Sequence, residues 1–143
     1  MLRNYKNGQS TISGFLDDYA YTILAFVKLY EATFDESWLG ASKKMADYAF
    51  QYFYDEEKHM FYFTSSKDDK LMTRLFEYRD NVIPASNSVM ANLLFDLGYI
   101  LHKEDYIEKA TVILGQLLFE SYKELQEKGE RDQATLGYQE IYQ

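Results

Sequence analysis

One helical pattern occurs twice in this chain, and that repetition limits the folds open to it. From about Asp17 to Thr33 nearly every residue is apolar or aromatic: Tyr19, Tyr21, Ile23, Leu24, Phe26, Val27, Leu29 and Tyr30. A helix apolar all round is buried on most sides. From about Asp35 to Tyr54, Trp38, Leu39, Met45, Ala46, Ala49 and Phe53 make one stripe, and Lys43, Lys44, Asp47 and Gln51 face elsewhere. That spacing predicts an ordinary surface helix. A third helix, Ser86 to Leu101, is again almost wholly apolar, with Asn92 and Asp96 as its polar interior positions. A fourth, about Glu104 to Glu127, is amphipathic. The halves superpose with an offset of about 68 positions, so Trp38 meets Tyr106, Leu39 meets Ile107 and Met45 meets Ile113. The expected fold is all-α: two repeated helical hairpins that each hide one helix and expose the other. Closed, such repeats form an α/α toroid; open, a solenoid.

The connections differ in length. Within each hairpin the turn is short, and "TFDE" (Thr33 to Glu36) reads as a capping box. The whole chain divides into hairpin one (about 15–54), an excursion (55–85), hairpin two (about 86–127) and a polar tail (128–143), all expected to form one partial domain. In the excursion, "HMFYFTSS" alternates between "DEEK" and "KDDK", which predicts a short β-hairpin or extended segment. A connection of some 30 residues in a compact helical protein is usually functional or packed over something.

Composition excludes several functions. The net charge of -8 and pI near 4.7 oppose a nucleic-acid groove, which needs clustered Lys and Arg, and oppose binding to anionic membranes. No apolar run reaches the roughly 20 residues of a membrane span. The start has no secretory apolar segment, so a cytoplasmic protein is expected. With no cysteine, disulfides, zinc thiolates and thiol catalysis are absent from this chain. No phosphate loop, zinc signature or nucleophile elbow is present, and no cofactor or metal is expected. Aromatic residues reach 17%; they serve either helix packing or a pocket that stacks on flat or sugar-like ligands.

Both buried helices begin at the same end of the repeat, and the excursion lies there too. That places Asp17, Asp18, Tyr19 and "YRDNVIPASNS" (Tyr78 to Ser88) together. Asp17 reads as the N-cap of its helix. Asp18 then sits in the first turn, favourable to the dipole and free to face a pocket. Ser86 is a second expected N-cap, which leaves Asn87 and Ser88 as polar residues on an apolar helix. Arg79 and Asp80, with Glu77 as a third member, form either a loop-pinning ion pair or part of a site. Asp18 and Asp80 are the candidate acid and base. Asp17, Tyr19, Arg79, Asn87 and Ser88 are the candidate substrate contacts. His59 lies in the excursion within reach of that mouth; His102 lies in the turn at the opposite end. Asp68 and Asp69 fall in a polar turn.

Three ordered stretches carry a resemblance: "GFLDDYAYTILAFVKLYEATFDESWL", "FYFTSS" and "YRDNVIPASNSVMANLLFDLGYI". Over roughly residues 10 to 115 the chain resembles the C-terminal part of the thioredoxin-domain-containing family of bacterial YyaL and spermatogenesis-associated protein 20. The resemblance implies a six-hairpin α/α toroid like that of N-acylglucosamine 2-epimerases and several glycosidases, of which this chain would be about two hairpins. The thioredoxin-like part is absent here. The positions resembling the family's pocket are Asp17, Asp18, Arg79, Asp80 and Asn87 rather than the histidines used by epimerase-type toroids. The tail "KELQEKGERDQATLGYQEIYQ" departs from the family pattern.

The expected function is a fragment of a carbohydrate-active or carbohydrate-binding toroid, not catalytic alone, with a sugar-like small molecule as ligand. The alternative is a helical-repeat interaction module, since 68 is twice the 34 residues of a tetratricopeptide repeat. Two hairpins leave apolar helix faces uncovered, so self-association, or covering by the rest of a toroid, is expected.

Overall fold

The computed structural model describes residues 1–68, 74–79 and 83–141, with side chains to residue 129. It is mostly helical: α1 (Leu16–Thr33) and α2 (Glu36–Phe53) form one hairpin, α3 (Ser86–Ile100) and α4 (Glu104–Ile141) the second. Between them lie two short antiparallel strands, β1 (Tyr54–Asp55) and β2 (Met60–Phe61), with Tyr54 opposite Phe61. Each helix packs chiefly on its hairpin partner, and α1 against α3 is the main contact between hairpins. The core runs along that contact through Ile23, Val27, Met90, Leu94 and Leu97, and out to Ala46, Ala49, Phe53 and Ile113.

The repeat is visible in the backbone. The α1–α2 turn places Phe34 in the left-handed region, φ 55°, its N–H donating to the Tyr30 carbonyl at 2.7 Å. His102, 68 positions later, has φ 52° in the α3–α4 turn. A left-handed residue after the last turn redirects the chain in both hairpins, here without glycine to ease it.

Several helix starts differ from expectation. Phe15, not Asp17, is the N-cap of α1; Asp18 is the third helical residue and its carboxylate accepts the Phe15 N–H at 2.8 Å. The cap lies two residues earlier than expected, where the Phe63 carbonyl of the excursion takes the Leu16 N–H. Asp35, not Thr33, caps α2, its Oδ1 accepting the Ser37 N–H at 2.9 Å; Thr33 Oγ1 instead bonds back to Leu29. Ala85 caps α3 in place of Ser86, because the Glu77 carboxylate arrives to accept both the Ser86 N–H and Oγ–H. In each case a side chain or carbonyl from elsewhere in the sequence, or a neighbour in the first turn, satisfies the orphan donors. α4 passes its expected end at Glu127 and continues to Ile141, so the polar tail is largely helical.

The excursion is a plug between the starts of the two inner helices. Tyr62 N–H donates to Phe53 O and Ser66 N–H to Tyr52 O, tying it to the end of α2, and Phe61 is fully buried. The aromatic residues largely serve this packing: Phe50, Tyr54 and Phe61 form one cluster, Tyr19, Tyr48 and Phe53 another. The first fifteen residues add a narrow hairpin that helical periodicity does not signal. Lys6 and Gln9 exchange backbone bonds across Asn7 (φ 53°) and Gly8 (φ 78°), the Asn-Gly pairing of a two-residue hairpin turn. No helix among the described residues is long and apolar enough to cross a membrane.

Close packing of hairpin two rests on Gly98. A Cβ there would lie 2.5 Å from Ile107 Cγ1 and 3.1 Å from the Lys103 carbonyl oxygen and the Ile107 nitrogen. Two of those neighbours are backbone, so Gly98→Ala is expected to cost about 1–3 kcal/mol. Gly40 in α2 has nothing within 4 Å, and Gly40→Ala should stabilise by about 0.5–1 kcal/mol. Urea unfolding of the two variants checks the contrast.

Candidate functional site

Of the residues expected to converge at the starts of α1 and α3, those on α1 are engaged with the N-terminal segment, with Tyr48 and with one another. Asp18, half-buried, holds the Phe15 N–H and forms an ion pair with Arg3 at 3.2 Å. Arg3 is delivered by the N-terminal hairpin and stacks 4.4 Å above the Phe15 ring. Asp17 Oδ1 accepts the Asp18 N–H. Partial burial, the largest influence, pushes the Asp17 carboxyl above the usual range; the Asp18 N–H opposes this, and the charges of Asp18 and Glu77 add to it while that of Arg3 subtracts. Tyr19 is buried, its ring stacked on Tyr48 at 5.3 Å and its hydroxyl accepting from the Met1 amine.

Asn87 is fully buried and its amide is saturated. Oδ1 accepts the Phe61 N–H, and Nδ2 donates to the carbonyls of Phe61 and Glu77, each at 2.8 Å. Its hydrogen-bonding capacity is spent within the chain, where it holds the excursion to α3.

Arg79 and Ser88 do meet. They line a groove of about 690 Å³ between the Tyr78–Arg79 segment, α3 and α4, with Asn92, Ser121 and Glu124 adding polar groups beside Leu114, Leu117 and Leu118. Arg79 pairs with Glu124; Asp80, its expected partner, lies outside the described residues, as does Asp69. Arg79 Nε donates to Glu124 Oε1 at 2.6 Å and Nη2 pairs with the same oxygen; the Tyr78 hydroxyl also donates to it at 2.7 Å. The Tyr78 hydrogen bond foremost, with the Arg79 bond and charge, holds the Glu124 carboxyl below the usual range against a smaller desolvation effect. Charge-assisted bonds of this kind are stronger and better aligned than neutral ones.

Glu124 lay beyond sequence reasoning because periodicity assigns it only to the polar side of an outer helix. Its proximity to Arg79, 45 residues earlier, comes from the antiparallel return of α4. His59 sits in the exposed β1–β2 turn, φ 53°. That turn folds back on the outer layer, where Glu56 pairs with Lys109 of α4. Among the described residues no cluster of three or more His, Asp or Glu side chains could hold a metal ion.

A second carboxylate, Asp47 on α2, joins the two hairpins: it accepts from the buried Tyr106 hydroxyl and pairs with Lys43. Burial alone would raise it, but Lys43 and Tyr106 together hold it below the usual range. A carboxyl lowered in the folded state adds stability above its unfolded value and loses it as pH falls through the folded value. Asp47→Asn is therefore expected to destabilise at neutral pH, with the difference from wild type vanishing in strong acid. Carboxyl-detected NMR titration should place Asp47 below, and Asp17 above, the ordinary aspartate value.

No family model matches the chain. Spermatogenesis-associated protein 20 of Rattus norvegicus is 29% identical over 102 residues, 71% of this chain and 13% of that protein. The Homo sapiens protein of the same name is 31% identical over 103 residues, again 71% and 13%. An uncharacterised protein of Caenorhabditis elegans is 32% identical over 106 residues, 73% of this chain and 14% of that protein. The chain thus spans about one-eighth to one-seventh of the length of these relatives. This partial likeness supports a relationship with the spermatogenesis-associated protein 20 family.

Proposed function

We propose that this chain is a two-hairpin segment of a larger α/α toroid, and that the groove between α3, α4 and Tyr78–Arg79 is part of a binding wall for a sugar-like, polyhydroxylated small molecule. The observation that carries the reading is the composition of that groove. A carboxylate, a guanidinium, a phenol, two serines and an amide converge beside three leucines. Ligand pockets combine an apolar lining with a few placed polar groups in this way. A pyranose matches it: its C–H face lies on apolar side chains, and its hydroxyls both donate and accept at the edges. The role of the chain alone is binding. Asp18 already serves a helix start and Arg3, and a toroid's chemistry draws on helices around the whole ring.

Apolar exposure supports the larger assembly. Phe95 and Tyr99 on α3, and Leu118, Phe119, Tyr122 and Leu125 on α4, are exposed, Leu118 by 72% and Leu125 by 69%. α1 covers one side of α3; a following hairpin of the same kind would cover this other side. So many large apolar side chains exposed on two neighbouring helices support an interaction face.

Two measurements test the proposal. Saturation-transfer NMR should show contact between the chain and neutral monosaccharides, lost in Ser121→Trp, which fills the groove from an exposed position. Absence of transfer, or transfer unchanged in the variant, rejects the site. Light scattering should find the isolated chain self-associated, and Leu118→Glu with Leu125→Glu should return it to a monomer. A wild-type monomer at high concentration rejects the open-face reading.

A further inference from the structure

Resting on that groove reading, we infer that Glu124 sets its ligand class: it selects neutral polyols and rejects sugars carrying a phosphate or carboxylate. The geometry is specific. Arg79 and Tyr78 both bond to Glu124 Oε1, which leaves Oε2 without a partner among the described residues. A carboxylate clamped by one oxygen offers the other as a fixed acceptor, and an ionised carboxylate only accepts. The group it receives must donate, as a sugar hydroxyl does.

The same carboxylate shares a second cavity with two cations. Arg79 and Lys128, together with Ser121 and Leu125, line the adjoining cavity of about 420 Å³ with Glu124 among them. Lys128 lies one turn beyond Glu124 on α4. Without Glu124 this would be a guanidinium, an ammonium and a hydroxyl converging on one space, a set that recognises phosphate or carboxylate. With it, an incoming anion meets a like charge and must displace Glu124 from Arg79, which leaves a carboxylate without its counter-charge. The neighbouring acids do not relieve this: Glu77 is bonded to the start of α3, and Asp17 is a further negative group near it. A neutral polyol disturbs none of these contacts.

The test compares the full 143-residue chain with Glu124→Gln, using glucose, galactose and mannose, their 6-phosphates, and glucuronate as probes in NMR titrations. Thermal unfolding confirms that each protein is folded. Arg79→Ala, whose guanidinium side chain is largely exposed, is the second variant. The wild type is expected to bind a neutral sugar at least tenfold more tightly than its 6-phosphate. Glu124→Gln should reverse the order, because the opposing charge is removed and the Arg79 guanidinium is released to the anion in a cavity that Lys128 also lines; Arg79→Ala should weaken the neutral sugar and not gain the phosphate. Tighter phosphate or glucuronate binding by the wild type overturns the inference but keeps the groove as a sugar site. An unchanged preference in Glu124→Gln does the same. Binding of no probe by any of the proteins overturns the groove reading and this inference with it.

Discussion

The buried amide of Asn87 is the contact on which the arrangement of the two hairpins depends. It bonds to both backbone groups of Phe61 and to the Glu77 carbonyl. Those three groups belong to an irregular excursion that has little regular sheet to satisfy it. Buried backbone donors and acceptors left unpaired cost about 1–3 kcal/mol each. One side chain on α3 therefore lets the excursion lie between the inner helices instead of over water. The excursion in turn supplies the Phe63 carbonyl to α1 and the Glu77 carboxylate to α3. Helix starts, excursion and hairpin packing are one linked system.

That system explains how an acidic chain uses its carboxylates. Asp18, Asp35 and Glu77 accept N–H groups at or before the first turns of α1, α2 and α3, where the partial positive charge of the helix favours them. Asp47 joins the outer helices through Tyr106. Glu124 ties the end of the excursion to α4. Asp18, a catalytic candidate in a linear reading, is thus an organiser of the backbone at the start of α1. Glu124 combines such a structural tie with an oxygen left available to a groove, which is why the ligand argument centres on it.

Much of the architecture was legible in the residues. The all-apolar run around Leu94 is a largely buried helix, and the stripes of Leu39 to Phe53 and Tyr106 to Leu117 face the core as expected, but α1 buries only one stripe, Leu16, Tyr19, Ala20, Ile23 and Val27, because its far side has no neighbour among the described helices. The offset of 68 reappears as the paired left-handed turns at Phe34 and His102. Of the candidate site residues, Arg79 and Ser88 line one groove without Asp17, Asp18 or Tyr19, while Asn87 turned inward. A polar residue on an apolar helix has two outcomes, a ligand contact or a buried backbone partner, and helical spacing does not separate them.

Periodicity and composition by themselves determined the helices and the repeat, and the stripe by which each outer helix meets the core, because burial follows spacing within one element. They also set the acidic balance that opposes nucleic acid. Only the tertiary structure decided the pairings made between elements. Phe15 became a cap because Phe63 reached Leu16; Ser86 lost that role because Glu77 reached it; Arg79 chose a residue on α4. Each is a contact between segments distant in sequence, whose geometry depends on the packing of whole helices, and no local pattern of residues encodes it.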